Sequence, residues 1–274
     1  MLRCLSSRSI AVFAVLGVMV GLAPAASAAA GSTAPSPRSG VGMAFDAATG
    51  QIVLFGGESS GQSFDGDTWT WDATGWTQRH PAHAPSARSY VAMAYDAATH
   101  QVVLFGGYVF GPLGETWTWD GTDWTLASPA HSPPARYQAA MAYDPVHRQV
   151  VLFGGQTNSH YWNDTWTWNG SNWTDRTGKP SPKARRDCSM ADDPGLGGIV
   201  LFGGYARTGF LGDTWSWNGT KWTHLHPTRS PAARENAGMA PNAAGRVVLF
   251  GGFSGAYLND TWKWTDTNWS PAGA

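Results

Sequence analysis

The peptide VLFGG occurs five times, at residues 53–57, 103–107, 151–155, 200–204 and 248–252. Each copy is followed by an acidic residue, then Thr-Trp-X-Trp or Thr-Trp-Ser-Trp wording, and then a lone Trp. The glycine pairs begin at Gly56, Gly106, Gly154, Gly203 and Gly251, so the successive steps are 50, 48, 49 and 48 residues. A period of this length and regularity means one supersecondary unit repeated along the chain, with the copies burying each other's apolar faces.

Each repeat reads as four short strands. The first follows an arginine and carries Met-Ala, as in RSYVAMAYD at residues 88–96; the second is VLFGG with the residues before it. The third is the Trp-X-Trp segment, and the fourth begins at the lone Trp, as at Trp76. Period-two alternation puts Trp69 and Trp71 on one face of the third strand and Thr68 and Thr70 on the other. DATG, DGTD, NGSN and NGTK at the junctions supply Gly, Asn and Asp, which tolerate the positive φ of tight hairpin turns. A four-stranded unit apolar on both faces cannot fold alone, and radial stacking buries those faces while leaving only short edges. The expected fold class is all-β: a β-propeller of five four-stranded blades at about residues 38–83, 84–131, 132–180, 181–229 and 230–274. Of the 16 tryptophans, 15 fall in the three repeated columns and only Trp162 stands outside, so tryptophan here is scaffold.

The double glycine after an apolar strand, the aromatic third strand and the single Trp after a Gly-rich turn resemble kelch repeats, of the bacterial kind also found in the central propeller of galactose oxidase. The resemblance covers residues 38 to about 270. It implies a binding scaffold or, less often, an enzyme. Kelch rings usually hold about six or seven blades, so closure with five is expected to rest on blade 1 packing against blade 5. That arrangement gives a monomer, or a dimer if the ring is incomplete. Copper-radical oxidation of the galactose oxidase type needs a Cys–Tyr crosslink with Tyr and His copper ligands. No such set aligns, so neither a metal nor another cofactor is expected.

Residues 1–28 carry Arg3 and Arg8, an apolar run over 10–22 and an Ala-Ser-Ala cleavage pattern at 26–28, which reads as a secretory signal peptide followed by a short segment over 29–37. No later stretch approaches the roughly 20 apolar residues of a membrane span. Cys4 leaves with the signal, so Cys188 remains without an internal disulfide partner. Removing Arg3 and Arg8 from the 18 basic residues leaves 16 against 19 acids, a net charge of −3 that gives no case for nucleic acid or an anionic membrane.

Positions shared by all copies build the scaffold, so function is sought where the copies differ. The loops between the second and third strands are diverse, and with the connections between blades they share one face of such a propeller. They contribute Phe64, Tyr108, Phe110, Tyr161, Trp162, Tyr205, Phe210, Phe253 and Tyr257, which either stack on a ligand or fold over their own blades. Inside that rim lies an arginine column, Arg38, Arg88, Arg136, Arg185 and Arg234. It reads either as a cationic ring at the funnel mouth or as ties between neighbouring blades through backbone carbonyls. The next two positions vary: Ser39-Gly40, Ser89-Tyr90, Tyr137-Gln138, Arg186-Asp187 and Glu235-Asn236. Such an asymmetric polar cluster near the axis suits recognition of a single ligand. Asp187 and Glu235 are either an acid–base pair or ion-pair partners of Arg186.

Cys188 and the methionines of the first strands read as core, the loop histidines as solvated, and the acid before each Thr-Trp as a turn cap. The leading expectation is a secreted binding module for carbohydrate or an extracellular protein segment. The alternative is an extracellular hydrolase, lyase, isomerase or copper oxidase.

Overall fold

The alternating apolar residues and glycine-rich turns form twenty strands over residues 34–60 and 63–272, the part of the chain that this computed structural model describes. The expected signal peptide lies outside the described residues. Blade 1 is β1 (Gly42–Asp46), β2 (Gln51–Ser59), β3 (Ser63–Asp72) and β4 (Gly75–Arg79); blade 2 is β5 (Ala92–Asp96), β6 (Gln101–Phe105), β7 (Thr116–Trp119) and β8 (Trp124–Leu126). Blade 3 is β9 (Ala140–Asp144), β10 (Gln149–Phe153), β11 (Thr165–Trp168) and β12 (Trp173–Asp175); blade 4 is β13 (Ser189–Asp193), β14 (Gly198–Ala206), β15 (Gly209–Trp217) and β16 (Trp222–Leu225). Blade 5 is β17 (Gly238–Pro241), β18 (Val247–Phe250), β19 (Thr261–Trp264) and β20 (Trp269–Pro271). Each blade is an antiparallel sheet whose strands pair in chain order, and the five form a β-propeller, the fold class expected from the repeat.

The register explains why the blades stack. In blade 2, Met93 opposes Leu104, which opposes Trp117, whereas Ala94 opposes Val103, which opposes Thr118. One face of a blade therefore carries Met, Leu and the tryptophans, and the other carries Ala, Val, Phe and Thr. The second face of each of the first four blades receives the first face of the next, so Val53 and Phe55 pack with Met93, Leu104, Trp119 and Trp124.

Three sets of hydrogen bonds repeat at these interfaces. The indole N–H of the strand-four tryptophan in blades 2 to 5 donates to a buried threonine of the preceding blade: Trp124 to Thr68 at 2.9 Å, Trp173 to Thr116 at 2.8 Å, Trp222 to Thr165 at 2.8 Å and Trp269 to Thr214 at 3.0 Å. The second glycine of the first four pairs donates to the arginine carbonyl of the next blade, from Gly57, Gly107, Gly155 and Gly204 to Arg88, Arg136, Arg185 and Arg234 at 2.8–3.0 Å. A Cβ on Gly56 would lie 2.4 Å from the Arg88 carbonyl, which is why the first residue of the pair is glycine. At the axis, Tyr90, Gln138, Asp187 and Asn236 each donate a backbone N–H to the carbonyl one blade back, starting at Gly40. All four hold positive φ of 51–57°, close to the 65° of Gly40.

Among the described residues these interactions join blades 1 to 2, 2 to 3, 3 to 4 and 4 to 5, and none of them joins blade 5 to blade 1. Inner strand β1 packs on β5, β5 on β9, β9 on β13 and β13 on β17, with no comparable contact from β17 to β1. Among the described residues the expected closure of blade 1 on blade 5 is therefore not made. Trp71 is 38% exposed, whereas its counterparts Trp119, Trp168, Trp217 and Trp264 are each 1% exposed. Met43, Ile52, Leu54, Trp71 and Trp76 line an apolar groove of about 430 Å³ on the outer face of blade 1. In blade 5, Val247 and Leu249 face blade 4 and are fully buried, whereas Val248 and Thr261 on the opposite face are half-buried.

This difference predicts unequal costs for one substitution. Thr116→Val leaves the buried Trp173 N–H without an acceptor and is expected to destabilise by about 1–3 kcal/mol. Thr261→Val, which receives no tryptophan among the described residues, is expected to stay within about 0.5 kcal/mol of the parent. Urea denaturation of the two variants checks this, and equal losses would show that Thr261 is engaged as its counterparts are.

Candidate functional site

The arginine column turns inward. Arg88, Arg136, Arg185 and Arg234 are about 1% exposed or less, and each guanidinium bonds the carbonyl of its own blade's first glycine, at 2.8–3.3 Å. Each also pairs with the acid that precedes Thr-Trp: Arg88 with Glu115 at 2.6 Å, Arg136 with Asp164 at 2.5 Å, Arg185 with Asp213 at 2.6 Å and Arg234 with Asp260 at 2.5 Å, and Arg38 does the same with Asp67. The same carboxylates accept the first Trp indole N–H of the third strand, as from Trp69 at 2.6 Å and Trp166 at 2.8 Å. Neither expectation for the column holds. The side chains clasp their own blades, while the link to the neighbouring blade runs through the arginine carbonyl. The acids are clasp partners rather than turn caps. Arg88 and Arg136, proposed binding residues, are therefore buried and paired.

With the arginines withdrawn, the two variable positions after each of them define the funnel. Arg186 contacts the carboxylates of both Asp187 and Glu235, the latter at 3.0 Å, and its guanidinium stacks 4.8 Å from the centre of the Tyr205 ring. Burial pulls its pKa down, but the carboxylates and a side-chain hydrogen bond to Tyr161 outweigh that and hold it above the usual arginine value. Gln138 donates to Asp187 at 2.8 Å, and Gln156 donates to Gln138 at 2.6 Å. A polar relay thus crosses blades 3, 4 and 5, with Asp187 and Glu235 engaged by the same cation, the ion-pair alternative for these two acids.

Beside this relay lies an off-axis cavity of about 400 Å³. Tyr90, Tyr137, Gln138, Tyr161, Phe110 and Arg186, all singled out in the sequence, line it. Glu58, Phe64, Tyr108 and Gln156 complete the wall. The Tyr108 ring lies tilted 4.9 Å from Tyr137, and Tyr90 lies 6.3 Å from Tyr137, which makes one continuous aromatic wall. Desolvation, with a smaller effect from Tyr108, raises the Tyr137 phenol above its ordinary pKa, so it stays a neutral donor.

The remaining candidates lie elsewhere. Trp162 covers its own blade, with the Arg136 guanidinium 4.8 Å from its ring centre. Phe210 and Tyr257 form a separate aromatic group with Tyr205 and Phe253 over blades 4 and 5. Asn236 continues the backbone chain at the axis and does not line the cavity. Glu58 and Gln156 are the residues that sequence reasoning missed. They directly follow the glycine pair, in a column that reads Glu58, Tyr108, Gln156, Tyr205 and Phe253 and therefore varies as much as the chosen positions.

Cys188 is free and buried, and desolvation pushes its thiol up to about 12, as expected of a small core residue. Among the described residues no three His, Cys, Asp or Glu side chains cluster as metal ligands, and no helix is long and apolar enough to cross a membrane.

The KLHDC2/KLHL20/DRC7 Kelch-repeats domain matches residues 115–270, from the third strand of blade 2 through the last blade. No curated protein matches the chain.

The clasps carry a pH dependence. The Arg234 hydrogen bond, against a smaller burial effect, holds the Asp260 carboxyl at about 2, below its unfolded value of 3.8. A folded-state pKa lowered in this way contributes stability above the unfolded value and loses it as pH falls through about 2. For Asp67, Glu115 and Asp213 burial is the largest influence and raises the pKa, yet the arginine and indole bonds together outweigh it and lower each one. Asp260→Asn is therefore expected to reduce stability at neutral pH and to flatten its decline between about pH 4 and pH 2. Thermal melts of parent and variant across that range check the sign; parallel curves would exclude a stabilising clasp.

Proposed function

The chain belongs to the kelch-repeat family, and from that premise we propose that it is an exported binding module whose off-axis aromatic cavity holds a short segment of a partner protein. Kelch propellers fit a general role in binding, and most often the partner is a protein. The observation that carries the reading is the continuous wall of Tyr90, Tyr108 and Tyr137 opening onto a cavity of about 400 Å³. Rigid aromatic side chains with polar edges lose little conformational entropy on binding and supply most of the energy at such sites. Arg186, which also lines the cavity, is already held by two acids, so the aromatic wall is the larger unengaged surface offered to a ligand.

A second reading is favoured by the paired amides. Gln138 and Gln156, beside open tyrosine rings, offer the planar hydrogen-bonding groups and stacking faces that suit a neutral sugar. The enzymatic alternative would need Asp187 and Glu235 to hold different protonation states while both contact Arg186, and no observation favours it.

Export rests on residues 1–28, whose basic start, apolar run and Ala-Ser-Ala motif suit signal cleavage. N-terminal sequencing of the exported protein is expected to find a start near residue 29; an exported chain that keeps its first residues would remove this part. For binding, the mature protein is screened against a peptide library and a glycan array. Tyr137→Ala is expected to weaken the peptide hits by about tenfold or more, while Tyr257→Ala, outside the cavity, leaves them unchanged. Sugar hits without peptide hits would put the second reading first.

A further inference from the structure

Glu58 is the only charged residue in the column after the glycine pair, and it stands at one end of the cavity. Its backbone pairs with Ser39 on one side and its Cα partner across the β2–β3 hairpin is Phe64, so a rigid ladder fixes its position. The side chain is half-buried, yet among the described residues its carboxylate has no hydrogen bond and no ion pair. The surrounding groups are rings. Phe64 lies 6.1 Å from Tyr108 and 5.5 Å from Phe110, both contacts edge-on, and Phe110 is 85% exposed at the cavity mouth.

The Glu58 carboxylate stays part-exposed in the wall that these rings share, and ring faces repel an anion while attracting a cation. At the opposite end, the Arg186 charge is already met by Asp187 and Glu235. Of the residues that line the cavity only Glu58 and Arg186 are charged, and Asp187 and Glu235 hold Arg186 from outside the lining. An anionic ligand would have to displace internal acids from Arg186, whereas a cation at the Glu58 end finds both a free carboxylate and aromatic faces.

Resting on the reading above of a peptide-binding cavity, we propose that the Glu58 end takes the cationic side chain of a lysine or arginine from the bound segment. The ammonium or guanidinium meets the Glu58 carboxylate while its aliphatic stem lies along Phe64, Tyr108 and Phe110.

The test uses four versions of one short Gly/Ser-flanked peptide that differ at a central residue: lysine, arginine, Nε-acetyl-lysine and glutamate. Affinity for the mature protein is measured by calorimetry at low and high salt. The expected result is that lysine and arginine versions bind about tenfold or more tightly than acetyl-lysine and glutamate versions, with the difference shrinking in high salt. In Glu58→Gln, lysine and acetyl-lysine versions are expected to bind alike while the thermal midpoint matches the parent. Equal binding of lysine and acetyl-lysine by the parent, or preference for glutamate, overturns the cation site and leaves peptide binding standing. Failure of all four, together with sugar hits, overturns both.

Discussion

Each of the first four blades depends on a tryptophan from the next one. A four-stranded sheet that is apolar on both faces gains stability only when a neighbour covers it, and here the cover is an indole packed on a phenylalanine. Phe55 meets Trp124, Phe105 meets Trp173, Phe153 meets Trp222 and Phe202 meets Trp269, with ring centres 5.4–5.5 Å apart. Burying an indole N–H without an acceptor would offset much of that gain. The threonine opposite supplies the acceptor from the strand face that alternation leaves free of tryptophan. The same contact also orients the blades, because a directional bond added to a flat apolar interface selects one sliding position among many.

Inside each blade the buried arginine clasp has a different task. It joins the start of the first strand to the second and third strands through a glycine carbonyl and an acid that also holds an indole. Charges withdrawn in this way leave the funnel to the residues that follow. Those residues adopt left-handed backbone at Tyr90, Gln138, Asp187 and Asn236, a conformation costing on the order of 1 kcal/mol each for non-glycine residues. The bond from each to the preceding blade holds them there. Strain at the axis thus displays variable side chains on an invariant frame, and their differences make the cavity lopsided.

The strands, their pairing and the propeller were legible from period, alternation and turn residues, since all three are local properties repeated five times. Tyr90, Tyr137, Gln138 and Arg186 were legible because they differ between copies at one repeated place. The arginines were misread because invariance marks a structural role without saying which atoms carry it: the side chain holds the blade and the carbonyl holds the neighbour. Glu58 and Gln156 were missed because only aromatic residues were drawn from the diverse loops that they open, although comparison of that single column would have exposed them.

By itself the sequence determined what each blade is and what one blade offers the next, because strand alternation assigns every Trp, Thr and Phe to a face. It could not decide whether the last blade meets the first. That outcome depends on the angle between blades summed around the ring, a global quantity to which each interface adds a small part. Only the tertiary structure left Trp71 and Thr261 on faces without their usual partners, and only it joined Glu58 of blade 1 to Tyr137 and Arg186 of blades 3 and 4 around one cavity. Residues on different blades are related by packing rather than by spacing, and packing is decided after the strands have formed.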